Sequence, residues 1–473
     1  MQINMKPIRF FKGLSWLLIL NILVKPVWLF LIDRRVQTAL GYEAYGKYFS
    51  VLNLSYVLFF LSDIGISNML NQRVADGKPV DVVQLLGIKA LLLIIYFFVF
   101  SFIGWLTNIS DWSIVFYVLV IQCLTSLLIF FRNVITANQY FVTDALFSVV
   151  DKTLMIIFCG SILYTSFLGN ISLLLFLQIQ TGCTLLAAVV SLLFILKKKL
   201  ITKGAKEKIG SIVNQVLPFA LIILLMSVHY RLDGFLLERI HPNGAMEAGI
   251  YASAYRLLDA SNMVGYLAAS ILVAFVARNQ KDKRALEDAI LNTRHLLMFA
   301  ALGVVSFIIM FASWINQLLY YSNSYYNSLI IQLCMASFPG YCLVHVYGSV
   351  LTGSARFKQF IHILIASVVL NIVLNVALIS HEGALGCCIA ALVSQYFCGI
   401  ATFISSTRTL DISVNRKSIL IYLLFALLLV AFFSFAKDAV VNVWIILGIT
   451  VFAGLVFLST QLSLFRKFFV SLR

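Results

Sequence analysis

Ile419–Ala436 is eighteen consecutive residues without a charge, and stretches like it recur along the whole chain. An apolar run near ~20 residues is what it takes to cross the hydrocarbon of a bilayer. Inside such a run the backbone must satisfy its own hydrogen bonds, which leaves the α-helix as the form for separate apolar segments. Walking the chain gives fourteen expected helices at 11–32, 47–70, 82–106, 112–135, 144–168, 171–196, 212–237, 248–276, 295–319, 326–352, 358–380, 383–406, 418–436 and 439–463. Of the 473 residues 62% are hydrophobic and only 11% charged, against about 25% charged in a soluble domain. A water-soluble fold of this length has too little interior to hide so much apolar side chain. The expected fold class is an all-α polytopic membrane protein. The opening MQINMKPIRFFKG has the look of a secretory signal, but the apolar stretch after it contains Lys25-Pro26 and no small-x-small cleavage site, so it reads as a retained first helix.

Basic residues orient these helices. With the N-terminus in the cytoplasm, 25 of the 35 Lys and Arg residues fall on the cytoplasmic side, including the connection KKKLITKGAKEK. The opposite loops hold Arg34, Arg35, Lys47, Arg239 and Lys437. Positively charged loops resist translocation, so the expectation is a multi-pass membrane protein with both termini cytoplasmic. The net charge of +16 is then explained by loops facing anionic membrane lipid, with no need of nucleic acid. The loops on the far side, such as TNISD, TSFLGN and SHEG, are too short to fold into a domain. All eight cysteines lie inside apolar segments without metal-ligand spacing, and read as small buried hydrophobes.

The chain also repeats itself. Gly41–Ser50 is GYEAYGKYFS and Ala245–Ala254 is AMEAGIYASA, each with Glu-Ala, then Gly-x-Tyr, at the entry to the second and eighth segments. A second echo closes the fourth and tenth: VITANQYF (Val134–Phe141) and VLTGSARF (Val350–Phe357). Both pairs sit six helices apart, at offsets of 203 and 216 residues. The expected organisation is two six-helix bundles, 1–205 and 206–410, related as parallel repeats, with two additional helices in 411–473. Two such halves suit alternating access.

Three stretches resemble bacterial polysaccharide and O-antigen flippases of the multidrug/oligosaccharidyl-lipid/polysaccharide superfamily. EAYGKYFSVLNLSYVLFFLSDIGISNMLNQRVA is similar to their second helix, including the Asp-x-Gly of Asp63 and Gly65; AGIYASAYRLLDASN is similar to their eighth; and Asn371–Gln395 resembles their Asn-rich helix with the glycine-alanine helix that follows. Ser380 stands where proline is common, and Cys387-Cys388 where alanines are common. The resemblance covers roughly residues 10–410 and implies a scaffold, not a substrate.

Ionisable residues inside expected spans are the functional candidates, because each costs at least ~2.5 kcal/mol at the bilayer centre. Lys25, Arg256, Arg231, Lys89 and Lys152 are the candidate substrate-binding cations, and Asp259, Asp233, Asp151 and Asp63 the candidate coupling or charge-pairing acids. Lys89 and Lys152 leave two readings, cavity contact or snorkelling toward the cytoplasmic face. Arg256 and Asp259 are spaced to pair on one helix face. For a polyprenyl-pyrophosphate-linked oligosaccharide, an O-antigen or capsule unit, such cations would offset desolvation of the pyrophosphate. The expected function is therefore a flippase, moving that lipid-linked glycan from the inner to the outer leaflet, with polysaccharide polymerase machinery as a further partner. A multidrug extruder of the same superfamily is the first alternative. A membrane enzyme of polysaccharide assembly is the second; the sequence carries no Asp-x-Asp metal site, and His345 and His362 stand alone. No cofactor or metal is expected, and no nucleotide-binding motif occurs.

Overall fold

The computed structural model describes residues 16–17, 19–21, 23–67, 70, 81–165, 171–202, 209–411, 417–439, 442–452 and 454. Among these residues the secondary structure is helical throughout, without strands. Helix stands at each of the fourteen expected positions, so chain order numbers them. α1 runs at 23–40 and α2 at 42–58. Then follow α3 Val82–Leu106, α4 Trp112–Ala137, α5 Phe141–Tyr164, α6 Leu173–Lys197, α7 Ile209–Ile240, α8 Gly244–Arg278, α9 Lys283–Tyr320, α10 Tyr325–Gly353, α11 Phe357–Glu382, α12 Ala384–Thr409, α13 Lys417–Asp438 and α14 Val443–Phe452. Eleven of the described helices, α3 to α13, are long and apolar enough to span a bilayer. The expected fourteenth span is described only over its first half, and the connection 203–208 lies outside the described residues.

Two expected loops shrink to single residues. Gly41, at φ 78° and ψ 166°, is the only non-helical point in 34–58, and Gly383, at φ 56°, separates α11 from α12. Both occupy backbone that a Cβ disfavours, so glycine lets helix meet helix with no intervening loop. Arg34, Arg35 and Lys47, expected in a loop, therefore lie in helix, and so does Arg239 at the end of α7. With Ser380 in place of proline, α11 keeps its backbone donors and stays helical to Glu382.

The chain divides into two compact units, Met1–Arg239 with Asn243–Gly249, and Ile240–Pro242 with Ile250–Arg473. In the first, the ends of α2, α3, α4 and α6 share an apolar core of Ile66, Leu85, Phe130, Val134 and Ile195. Hydroxyl and amide pairs cross it: Ser126 to Ser62 at 2.8 Å and Gln122 to Ser55 at 3.0 Å. In the second, Asn371 donates to Ser394 at 3.2 Å and Asn375 to Asn371 at 3.0 Å, joining α11 and α12. These asparagines belong to the Asn-rich motif. Side chains such as Phe98, Trp105, Leu420 and Phe435 are exposed, the outward apolar face that helices turn to lipid. At the start of α9, Lys283 Nζ lies 2.6 Å from Asp411 Oδ2, and that hydrogen bond holds the Asp411 carboxyl below its ordinary range. Both groups are exposed, so the pair adds little to stability.

The sequence echoes have counterparts in the backbone. Gln139 (φ 63°) and Ala355 (φ 58°) take the left-handed conformation at the same point of the second echo, 216 residues apart. Each is followed by a bond back across the helix end, Tyr140 N–H to Ile135 O at 3.2 Å and Arg356 N–H to Leu351 O at 2.8 Å, the Schellman closure. Asn108 with Tyr321, and Lys199 with Asp411, repeat the left-handed ending at offsets of 213 and 212. In the first echo the two copies touch. A Cβ on Gly46 would lie 1.8 Å from Ala245 O, and one on Gly249 would lie 2.0 Å from Tyr42 O. The offset of 203 carries Gly46 to Gly249 and Tyr42 to Ala245, so the contact is its own mirror, as in an isologous interface. Glycine is required here because backbone meets backbone, and Gln37 Nε2 adds a bond to Gly249 O at 2.8 Å.

Gly249→Ala and Gly46→Ala should each lower thermal stability in detergent by about 1–3 kcal/mol, the usual cost of overpacking. Gly303→Ala, where an added Cβ meets nothing within 4 Å, should leave the melting temperature unchanged.

Candidate functional site

Pro26 lacks a backbone donor, and the chain just beyond it, Trp28–Asp33, winds as π-helix, a widening frequent at functional sites. α5 is interrupted as well, between Phe147 and Val150, and Asn21 Nδ2 donates to Ser148 Oγ in the gap at 2.8 Å. Asp151 and Lys152 follow that break at once, their charged atoms 3.3 Å apart. These two irregular helices present the candidate site of the first unit.

Its walls are aromatic. Lys152 Nζ lies 5.2 Å from the centroid of the Trp28 ring, and Trp28 stacks on Phe176 of α6 at 6.2 Å. Lys25 is within electrostatic reach of Arg132, Asp151 and Lys152. Lys152 is in turn within reach of Tyr56 and Asp33, and the Tyr56 ring faces the Arg231 guanidinium of α7 at 5.0 Å. Lys152 and Asp151 of α5 are thus set against Trp28 of α1, with Lys25 of α1 in electrostatic reach, and Arg231 of α7 is set against Tyr56. A cation over a ring face gains about 0.5–2 kcal/mol, and the Lys152 ammonium carries three N–H donors. Anionic oxygens are the acceptors that such donors bind most strongly. The Lys152 side chain is 25% exposed, so it opens on one side.

Lys89 and Asp63 are placed elsewhere, as a pair. Lys89 is 0% exposed, with its ammonium 2.6 Å from Asp63 Oδ1 just beyond α2, so the charge is met inside the protein. Asp63 also accepts from Ser67 Oγ at 2.7 Å. It ends the 3-10 turn Phe59–Ser62, and Ile64 (φ 43°) and Gly65 (φ 84°) follow in left-handed backbone. The Asp-x-Gly motif is therefore a turn whose carboxylate holds α3. Asp233 is buried on α7. In the second unit, Arg256 and Asp259 approach to 3.7 Å on one face of α8.

Three features escaped the sequence. Asp33, 2% exposed, accepts from Tyr45 Oη at 2.9 Å; an expected end of the first helix at 32 had put it in a loop. Arg132, assigned to a cytoplasmic segment, lies in α4 and binds Asp144 at 2.8 Å. Arg294, assigned likewise, is 4% exposed in α9, which starts twelve residues earlier than expected. Its guanidinium donates to Tyr347 Oη at 3.3 Å and Ser418 Oγ at 3.0 Å. Beside it His295 Nδ1 meets Tyr422 Oη at 2.7 Å. The partners lie 53 to 127 residues away, so no local spacing signals the cluster.

Asp63→Asn should destabilise the protein by about 3–5 kcal/mol, because it leaves the Lys89 ammonium buried without its counter-charge. Asp63→Asn with Lys89→Met should restore most of the loss, read as folded protein recovered in detergent and as melting temperature.

No protein-family model and no curated protein matches the chain. Solved structures do. An inward-facing multidrug resistance MATE family transporter of the MOP superfamily superposes with a TM-score of 0.62 at 18% identity, covering 81% of this chain and 94% of that one. The lipid II flippase MurJ, in an inward closed conformation, also gives 0.62, at 14% identity, covering 90% of this chain and 99% of that one. A MOP superfamily transporter from Pyrococcus furiosus, described as having a binding pocket of reversed polarity, gives 0.57 at 16% identity, covering 85% and 94%. The chain shares the fold of MOP superfamily transporters over nearly their whole length.

Proposed function

We propose that the protein is a flippase that moves a polyprenyl-pyrophosphate-linked oligosaccharide, an O-antigen or capsule unit, from the inner to the outer leaflet of the bacterial cytoplasmic membrane by alternating access. The observation that carries this reading is the cation cluster of Lys25, Lys152 and Arg231, set against Trp28 and Tyr56. A pyrophosphate stripped of water needs charge-assisted donors to replace its hydration, and aromatic faces favour sugar rings beside it. The likeness to MurJ, whose name states that it flips a lipid, supports a lipid-borne substrate. Two six-helix halves at 1–205 and 206–410, with cytoplasmic termini, follow from the sequence echoes and the basic-residue bias. Arg256 and Asp259 are assigned as a substrate contact and its charge partner in the second unit. Transport rather than catalysis is the role, with polymerase machinery acting on the delivered glycan.

The MATE likeness favours a second reading, a cation-coupled multidrug extruder. The two differ in the charge of the cargo, and a cluster rich in ammonium and guanidinium groups suits an anion.

Lys152→Ala and Lys25→Ala should each abolish most surface polysaccharide while lipid-linked precursor accumulates in the inner leaflet, at normal protein abundance. A loss of about tenfold or more corresponds to removing one charge-assisted contact of ~1.5–3 kcal/mol. Normal export from both variants removes the cluster from the substrate path. Polysaccharide untouched by full deletion, with drug sensitivity raised, establishes the extruder instead.

A further inference from the structure

The charge cluster has an apolar neighbour. Between α5 and α6 of the first unit lies a groove of about 520 Å³ walled by Phe158 and Leu186, with Gly182 and Cys183 along it. Its depth comes from Gly182, where a Cβ would meet nothing within 4 Å; any side chain there would begin to fill it. Phe158 and Leu186 are exposed and Cys183 is buried, so the groove opens on the lipid-facing surface and deepens toward the protein.

Two observations connect this groove to the cations. Cys183, on the inner edge of the groove, is within electrostatic reach of Asp151 and Lys152. α6 also supplies Phe176, the ring on which Trp28 stacks beneath Lys152. One helix therefore forms a wall of the groove and the backing of the charge site. Lys152 is the twelfth residue of the 24 in α5, and Gly182 the tenth of the 25 in α6. At 1.5 Å per residue both lie near the middle of a ~30 Å hydrocarbon core.

A ligand that occupies both places is an amphiphile with an anionic head and a long apolar chain. Resting on the flippase reading above, we propose that the α5–α6 groove holds the polyisoprenoid tail of the lipid-linked substrate while its pyrophosphate sits at Lys152. The tail then stays in contact with hydrocarbon throughout, and only the head needs a polar route. Burying part of a branched isoprenoid against Phe158, Leu186 and Val189 is favourable through packing, since lipid offers no hydrophobic driving force. The packing is gained only by a chain long enough to lie along the groove, so a chain cut to one or two isoprene units forgoes it.

The test uses the full chain in proteoliposomes and two pyrophosphate-linked glycans, one on a long polyprenyl chain and one on a short isoprenoid. Gly182→Phe should slow transport of the long-chain compound about tenfold, ~1.4 kcal/mol in the barrier, and leave the short-chain compound within about twofold. Lys152→Ala should slow both. Gly182→Ala, which only narrows the groove, should fall between wild type and Gly182→Phe at unchanged melting temperature. In wild-type protein, a long-chain polyprenyl pyrophosphate with a photoactivatable tail should label α6 around Gly182, displaced by unlabelled polyprenyl pyrophosphate and not by phospholipid. Labelling displaced by phospholipid, labelling elsewhere, or Gly182→Phe folded and moving the long-chain compound normally overturns the assignment: the groove then holds bulk lipid. Wild type moving neither compound overturns the flippase reading itself, a result distinct from a normal Gly182→Phe beside an active wild type.

Discussion

A cation in hydrocarbon has to be answered by a counter-charge, a ring face or water, and the first unit shows two different answers. Lys89, itself fully buried, is met by Asp63 at 2.6 Å, and Ser67 donates to the same carboxylate. Lys152 is met by Asp151 at a looser 3.3 Å and by the Trp28 face, and remains partly exposed. The first arrangement holds α3 to the end of α2. The second keeps donors available. The same residue type thus serves as scaffold in one place and as candidate receptor in another, and the distinction lies in how far the lysine itself is exposed, 0% against 25%.

The irregularities of the helices fall where that distinction is made. The π-helical turn of α1 and the interruption of α5 flank Lys25, Asp151 and Lys152. A regular helix repeats its side-chain directions every turn; a widened or broken one redirects a few of them. Among the other departures from helix in the described residues are the junctions at Gly41 and Gly383, kinks at Phe311 and Ser337, and left-handed endings that recur six helices apart. The repeat is thus written into backbone geometry as well as into residues, and its most constrained point is the mutual approach of Gly46 and Gly249 to backbone carbonyls.

Much of the architecture was legible in the residues. The apolar runs located the helices because hydrocarbon leaves separate apolar segments no other way to satisfy their backbone. Helix ends were less legible. α9 begins at Lys283 although its polar first turns read as loop, and Gly41 replaces a loop that had been drawn around Asp33. Polar residues can be helical wherever a helix extends past the apolar core, and hydropathy does not register that extension. The nine candidate charges were found by their placement in apolar sequence, whereas Asp33 and Arg294 were passed over because they lay at mistaken boundaries, and Arg132 because it was counted with the cytoplasmic charges.

The sequence by itself determined a helical membrane protein, a pair of internal echoes and the set of charges worth explaining. These follow from hydropathy, internal similarity and composition, which are properties of residues in order. Only the tertiary structure decided which charges belong together: Lys89 with Asp63, and Lys25 with Asp151, Lys152 and, through Tyr56, Arg231. It likewise showed that Gly46 meets Ala245 across some two hundred residues. Pairing depends on distances of a few ångströms between helices far apart in the chain. Those distances are set by side-chain packing, which no local pattern of residues records.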